Sequence, residues 1–223
     1  MIVPPRGYFK AIQAVLARHS IPFVADEIIT GLGRTGNMWG SETFDIKPGI
    51  IVASKVLTAG YFPLGAVLLS PGIAERLDRA AEAFGEFVHG FTTAGHPIGC
   101  AVGLAAINAI ENGALANARL LAPRFGERLC TLGNHPLAGE ARGVGLMGAL
   151  EIVAGKTTKE SFDSKFPVGE RIVKAALDRG LIIRPVGASV VLSPPFILTT
   201  AELDWMFDTL EAVLDEVAAS IPA

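Results

Sequence analysis

The chain has 223 residues, half of them hydrophobic and only 18% charged, and its formal net charge is −3. This composition is typical of an α/β protein with buried parallel strands, and it excludes a disordered or charge-driven binding protein. A nucleic-acid partner is not expected either, because no cluster of excess Lys and Arg is present to contact phosphates.

In the first half, apolar runs and helical periodicity alternate along the chain. Strands are predicted within the apolar runs 21–29, 49–55 and 65–70, and helices at 7–20, 73–84 and 97–111. The strands are expected to belong to an open, buried parallel sheet. Around residues 112–118 the sequence becomes more amphipathic, so we predict two domains, 1–114 and 115–223.

The second half predicts a small α/β domain that ends in a packed helix. We expect a helix interrupted at Pro123, a helix at 170–180, and strands at 145–153, 181–185 and 189–193. The last helix has the strongest pattern, because Thr199 and Glu202 fit a capping box. An apolar stripe follows it, made of Leu203, Met206, Phe207, Leu210, Val213, Leu214 and Val217.

The cysteines, the histidines and the apolar segments of the chain disfavour a metal site, a secreted protein and a membrane span. Cys100 and Cys130 are the only cysteines and form no Cys-x-x-Cys pattern, which favours a reducing, cytoplasmic location. The four histidines show no metal-ligand spacing, so no metal site is expected. No signal peptide is recognised at the start, and the apolar run 98–110 is too short for a membrane span and is interpreted as a buried helix.

Residues 31–36, GLGRTG, fit the glycine spacing of a dinucleotide-binding fingerprint and follow a predicted strand. That fingerprint requires a helix to begin directly at the glycines, so that free backbone N–H groups meet the pyrophosphate. The residues after Gly36 have no sustained helical periodicity, and two carboxylates, Asp26 and Glu27, precede the glycines. The pattern is therefore interpreted as loop geometry rather than as a dinucleotide site.

Asp26 and Lys55 each stand at the end of a predicted strand. Alone, each is typical of a turn or a solvated surface position. In an open parallel sheet, however, ligand groups collect at the carboxyl ends of the strands. Together the two residues match pyridoxal phosphate chemistry, in which a lysine amine forms a Schiff base with the cofactor and a carboxylate keeps the pyridine nitrogen protonated, which makes the ring an electron sink.

Three longer blocks carry a family resemblance: 23–36 (FVADEIITGLGRTG), 54–67 (SKVLTAGYFPLGAV) and 89–101 (HGFTTAGHPIGCA). In order and spacing they resemble signature blocks of the class III pyridoxal-phosphate-dependent aminotransferases, which have the type I fold. The resemblance covers nearly the whole chain. It implies an α/β structure made of part of the large-domain sheet plus the small C-terminal domain.

The resemblance also implies roles for individual residues. Asp26 would pair with the pyridine nitrogen of pyridoxal 5'-phosphate, Lys55 would form the Schiff base, and Ile28 would lie against the ring face. Thr92 matches a threonine that binds the cofactor phosphate of the neighbouring subunit. A homodimer with shared active sites is therefore implied.

Residues 180–204 resemble the C-terminal region of amine and ω-amino acid:pyruvate transaminases within this family. Arg184 falls where those enzymes carry a mobile arginine for substrate carboxylates, which a guanidinium can bind through two parallel hydrogen bonds. A surface arginine at a strand end is the alternative interpretation. The implied reaction is a ping-pong transfer from an amine or ω-amino acid to a keto acid such as pyruvate, with Lys55 as both anchor and base.

The chain departs from the family pattern at Val56 and Thr93, which both neighbour implied cofactor residues, and above all in length. Family members have a long region before the block that opens this chain, so we expect either a fragment of a longer protein or a truncated form. Two alternatives to a working transaminase stay open. One is an inactive remnant that acts as a structural or dimerisation module; the other is an aminomutase using the same lysine, against which the Arg184 block argues.

Overall fold

The computed structural model describes residues 1–163 and 165–221. These residues form two compact units, one of residues 4–116 and one of residues 1–3 together with those from 117 onward. The helices are α1 (Tyr8–Arg18), α2 (Gly40–Thr43), α3 (Pro71–Phe84), α4 (Pro97–Ala109), α5 (Leu115–Leu132), α6 (Val168–Asp178) and α7 (Thr200–Ala219). The strands are β1 (Val24–Asp26), β2 (Ile50–Ala53), β3 (Ala66–Leu69), β4 (Ala138–Val144), β5 (Met147–Ile152), β6 (Arg184–Val186) and β7 (Ser189–Leu192). The domain boundary predicted at 114/115 stays a prediction.

The first unit contains a three-stranded sheet in the order β1-β2-β3. β1 and β2 are parallel, with Asp26 opposite Val52, whereas β3 runs antiparallel to β2. The prediction of buried parallel strands was therefore wrong in two respects. One strand, β3, is antiparallel, and the sheet is not fully buried, since Val24 is 54% and Val67 64% exposed. Both side chains belong to the edge strands β1 and β3. An apolar run in the sequence does not reveal whether other segments cover the strand that it forms.

The glycine-rich segment after β1 is a loop. Turns run through residues 28–35, and no helix opens at Gly36; the next one, α2, begins only at Gly40 and has four residues. Gly33 and Gly36 have φ values of +107° and +93°, in the left-handed region that glycine adopts without steric cost. The loop interpretation of this segment is thus confirmed.

Helix α4 is mostly exposed, which contradicts the prediction of a buried helix. Gly99 and Gly103 are buried, but Ile98 and Leu104 on other faces are 60% and 64% exposed. By length and composition alone, the helical stretch Pro97–Leu132, which is kinked at Asn112 and Gly113, would suffice to cross a membrane, a criterion that core helices of soluble proteins also meet. The apolar composition predicted the helix, but not which faces would be covered.

The second unit contains a four-stranded sheet, ordered β4-β5-β7-β6 and antiparallel throughout. Strand β4 was not predicted, because its sequence AGEARGV has few apolar residues and becomes a strand only by pairing with β5. The predicted interruption at Pro123 was also wrong. Helix α5 continues through this proline, with Leu121 and Phe125 buried on either side.

Helix α7 confirms the sequence pattern in detail. The Thr199 hydroxyl accepts a hydrogen bond from the Glu202 N–H at 3.2 Å, and the Glu202 carboxylate accepts one from the Thr199 N–H at 2.7 Å. All seven residues of the predicted stripe are buried. The stripe packs on α5, where the rings of Phe125 and Phe207 meet edge to face with centroids 5.4 Å apart.

Ion pairs between α5 and α7 give the stability of this unit a predictable pH dependence. Arg124 donates two hydrogen bonds of 2.7 Å to Asp204, and these bonds lower the pKa of that carboxyl group. A carboxyl whose pKa is depressed on folding stabilises the folded state above its unfolded pKa, and this contribution is lost as pH falls through the folded pKa. We expect the free energy of unfolding to fall below about pH 4, and to fall less steeply in Asp204→Asn. Urea titrations of both proteins across acidic pH measure this; equal slopes would contradict it.

Candidate active site

Asp26 and Lys55 stand at the carboxyl ends of two neighbouring parallel strands, β1 and β2. Asp26 is the last residue of β1 and is paired with Val52 of β2. Strand β2 ends at Ala53, and Lys55 follows after Ser54, at the start of a one-turn 3₁₀ helix. Because parallel strands end on the same side of the sheet, the fold places both predicted residues at the carboxyl ends of β1 and β2.

The Asp26 carboxylate is exposed and held at one oxygen. Its Oδ1 accepts a hydrogen bond from the Ile28 N–H at 3.1 Å. Within residues 1–163 and 165–221 it forms no ion pair, so its remaining acceptor positions are open to a ligand. Ile28, the residue expected against the cofactor ring, is half-buried.

Lys55 combines a fixed backbone with an uncommitted amine. Its φ of +46° lies in the left-handed region, which is uncommon for a residue with a Cβ. The backbone nearby is tied down by two hydroxyls: Ser54 donates to the Leu64 carbonyl at 3.0 Å, and Thr58 donates to the Phe62 carbonyl at 2.6 Å. The Lys55 amine itself has no hydrogen bond or ion pair in the described part of the chain.

Helix α4 supports the loop that follows Lys55. A Cβ added at Gly99 would lie 2.9 Å from the Phe62 ring, and one added at Gly103 would lie 3.2 Å from the Leu64 side chain. The glycines of α4 therefore allow a close approach between this helix and the loop. His96, directly before α4, places its ring 5.2 Å from that of Phe62.

The two remaining predicted residues occupy other parts of the chain. Thr92 is exposed in the segment between α3 and α4, and its hydroxyl makes no hydrogen bond to the described residues. Arg184 is the exposed first residue of β6, so it belongs to the second unit, whereas Asp26, Ile28 and Lys55 belong to the first. The roles assigned to all five residues stay predictions.

Two charged side chains at the glycine-rich loop after β1 were not predicted as site residues from the sequence. Glu27, next to Asp26, is only 3% exposed. Arg34 lies within the glycine-rich loop, and burial lowers its pKa to about 10. The apolar and glycine residues that follow Glu27 were a possible sign in the sequence that this carboxylate is buried. Its burial nevertheless depends on how the loop folds.

The groups present fit pyridoxal phosphate and do not suggest a metal. The cofactor needs an unpaired amine for its aldehyde and an anion for its protonated ring nitrogen. Lys55 and Asp26 offer these two groups at one sheet edge, each without a competing ion-pair partner among the described residues. No cluster of three or more His, Cys, Asp or Glu residues suited to a metal occurs in the ranges 1–163 and 165–221.

The chain belongs to the class III aminotransferases, because the family model "Aminotransferase class-III" matches residues 1–214. It is 43% identical over 222 residues to an uncharacterized aminotransferase of Sinorhizobium fredii, covering 96% of this chain and 48% of that protein. It is 37% identical over 223 residues to a probable mitochondrial gamma-aminobutyrate transaminase 3 of rice, covering 98% of this chain and 44% of the relative.

Solved structures agree with this assignment. A PMP-bound aminotransferase from Vibrio fluvialis superposes with a TM-score of 0.96 at 52% identity, over 100% of this chain and 49% of that one. An omega-aminotransferase from Paracoccus denitrificans gives 0.96 at 51% identity, over 99% and 49%. The chain thus spans about half the length of these proteins. The predicted type I fold is confirmed, and the cofactor of this family of enzymes is pyridoxal 5'-phosphate.

Proposed function

We propose that the protein that carries this chain is a pyridoxal-phosphate-dependent transaminase that transfers an amino group from an amine or ω-amino acid to a keto acid such as pyruvate. The observation that carries the proposal is that the uncommitted Lys55 amine and the exposed Asp26 carboxylate stand at the carboxyl ends of two paired parallel strands. Support for the substrate class comes from structures named omega-aminotransferase and relatives named gamma-aminobutyrate transaminase.

The chain's own residues divide the work. When bound, the cofactor supplies an electron sink that stabilises negative charge on the donor carbon. The Asp26 carboxylate would accept a hydrogen bond from the ring N–H and keep that nitrogen protonated. The Lys55 amine would anchor the cofactor and, once displaced by the donor amine, use its Nζ to take the proton from the donor carbon. Ile28 would pack on the ring, and Thr92 would hold the phosphate in the site of a neighbouring subunit, which implies a homodimer.

Arg184 is proposed to bind the carboxylate of the keto acid. A guanidinium offers a carboxylate two parallel hydrogen bonds, which orient the substrate as well as attract it. Within the described residues Arg184 forms no ion pair, so its guanidinium is available for a ligand.

A structural or dimerisation module without activity is the second candidate. The large exposed apolar side chains of the first unit favour it, among them Val67 at 64%, Phe84 at 79% and Phe91 at 77%. A cytoplasmic location is proposed for either candidate, on the two free cysteines.

An acceptor comparison tests the transaminase proposal and the role of Arg184 together. With pyridoxal phosphate and an ω-amino acid donor, we expect the chain to convert pyruvate into alanine. Arg184→Gln should raise the KM for pyruvate about 10- to 100-fold, with a smaller change in kcat, because it removes a charge-assisted double hydrogen bond. An aldehyde acceptor of similar size has no carboxylate and serves as the control. No alanine from the parent chain would favour the inactive module, and equal effects on both acceptors would refute the role of Arg184.

A further inference from the structure

Glu27 lies directly after Asp26 and has no part in the proposed reaction. Successive residues of a strand point to opposite faces, and here Asp26 is exposed while Glu27 is 3% exposed. The Glu27 N–H donates to the Val52 carbonyl at 2.8 Å, which extends the parallel pairing one residue beyond β1. Glu27 therefore stands where the strand becomes the glycine-rich loop.

The Glu27 carboxylate binds both ends of that loop. Its Oε1 accepts a hydrogen bond from the Ser41 N–H at 2.6 Å, and its Oε2 accepts from the Gly40 N–H at 2.7 Å. These N–H groups open α2 and have no partner inside that helix. Oε2 also accepts from the Thr30 hydroxyl at 2.8 Å. Glu27 has no basic ion-pair partner in the described ranges, so three neutral donors satisfy a buried carboxylate.

Two glycines let the backbone close around this carboxylate. A Cβ on Gly31 would lie 2.8 Å from the Glu27 carbonyl oxygen, and a Cβ on Gly40 would lie 2.8 Å from Glu27 Oε2. Real side chains do not tolerate contacts this short with backbone or with a held carboxylate, so the loop has little freedom to take another arrangement. Of the glycines in the nucleotide-like pattern, Gly31 packs against Glu27, whereas a Cβ on Gly36 would meet no atom within 4 Å.

The network reaches Asp26 through Ile28. The N–H that holds the Asp26 carboxylate at 3.1 Å belongs to Ile28, which lies between Glu27 and Thr30, two members of the network. We propose that Glu27 is a positioning residue, which orients the Asp26 carboxylate for the cofactor ring nitrogen by fixing the loop that carries the Ile28 amide. This inference rests on the proposed function, in which Asp26 meets that nitrogen.

The first measurement concerns the cofactor-free chain and does not depend on cofactor binding. We expect Glu27→Gln to raise hydrogen exchange of the Ile28 amide at least about tenfold, because the glutamine amide places a donor against the donors of α2. Thr30→Val removes one hydrogen bond with little change in shape and should shift exchange in the same direction. Glu42→Gln is the matched control: its carboxylate accepts from the Trp39 N–H of the same helix at 2.8 Å but does not contact Glu27.

The second measurement is a pyridoxal phosphate titration of Asp26→Asn, Glu27→Gln and the double variant. If Glu27 acts through Asp26, Glu27→Gln should weaken cofactor binding about tenfold in the parent and cause no further loss in the Asp26→Asn variant. If Glu27 is purely structural, Glu27→Gln should weaken binding by the same factor in both backgrounds. Multiplying losses, or an Ile28 exchange rate unchanged in Glu27→Gln and Thr30→Val, would overturn the inference. If Glu27→Gln does not fold, Thr30→Val with its Asp26→Asn double variant gives the same decision. Failure of the parent chain to bind the cofactor would count against the proposed function instead, and the exchange data would still decide the role of Glu27.

Discussion

Replacing Lys55 with alanine is expected to abolish attachment of pyridoxal phosphate and to lower transamination at least about 100-fold, the loss typical of removing a proton-transfer group. Lys55 is proposed to supply both the anchor and the base, so no other residue of the proposed site takes over either task. The fold should survive, because alanine keeps the Cβ that lysine already carries at a φ of +46°. The Ser54 and Thr58 hydrogen bonds that hold this stretch do not involve the lysine amine.

The measurement is a visible absorption titration with pyridoxal phosphate, followed by borohydride reduction and peptide mapping. Lys47→Ala is the matched control, since Lys47 is also exposed in the first unit but precedes β2, at the opposite end of that strand from Lys55. We expect the parent and Lys47→Ala to be labelled at Lys55, and Lys55→Ala to show neither band nor label. Diffuse labelling of surface lysines, equal in all three proteins, would argue that this chain by itself does not form the site.

The largest effect on stability is expected from Phe207→Ala, which should lower the free energy of unfolding of the second unit by about 3–5 kcal/mol. Phe207 is 1% exposed and lies on α7, with its ring against Phe125 of α5, which is also 1% exposed. The guanidinium carbon of Arg128 lies 5.7 Å from the centre of the Phe207 ring. Truncation removes these contacts and leaves a cavity between two helices that the sheet cannot fill.

Urea unfolding followed by tryptophan fluorescence can assign this loss to the correct unit. The chain has two tryptophans, Trp39 in the first unit and Trp205 in the second, so a Trp39→Phe background reports on the second alone. Leu120→Ala on α5 is the control, because Leu120 is 71% exposed, and it should change the unfolding free energy by less than about 1 kcal/mol. Similar losses in the two variants would mean that Phe207 is not a core residue.

Features written in local pattern could be predicted from the sequence. The capping box at Thr199 and Glu202 and the stripe ending at Val217 were correct, because a helix forms from contacts within one turn and its buried face repeats every 3.6 residues. The family could also be identified from ordered motifs. The apolar runs within those motifs end close to Asp26 and Lys55, as strands β1 and β2 do in the fold.

Features that depend on distant partners were decided only by the tertiary structure. Strand β4 exists through its pairing with β5, and β3 runs antiparallel because of how the chain returns after Lys55. The exposure of α4 and the burial of Glu27 likewise depend on which other segments pack against them. A sequence records each residue's own preference, whereas pairing direction and burial are set by groups far along the chain. The family and its cofactor could therefore be predicted, and the hydrogen-bond network that holds the glycine-rich loop could not.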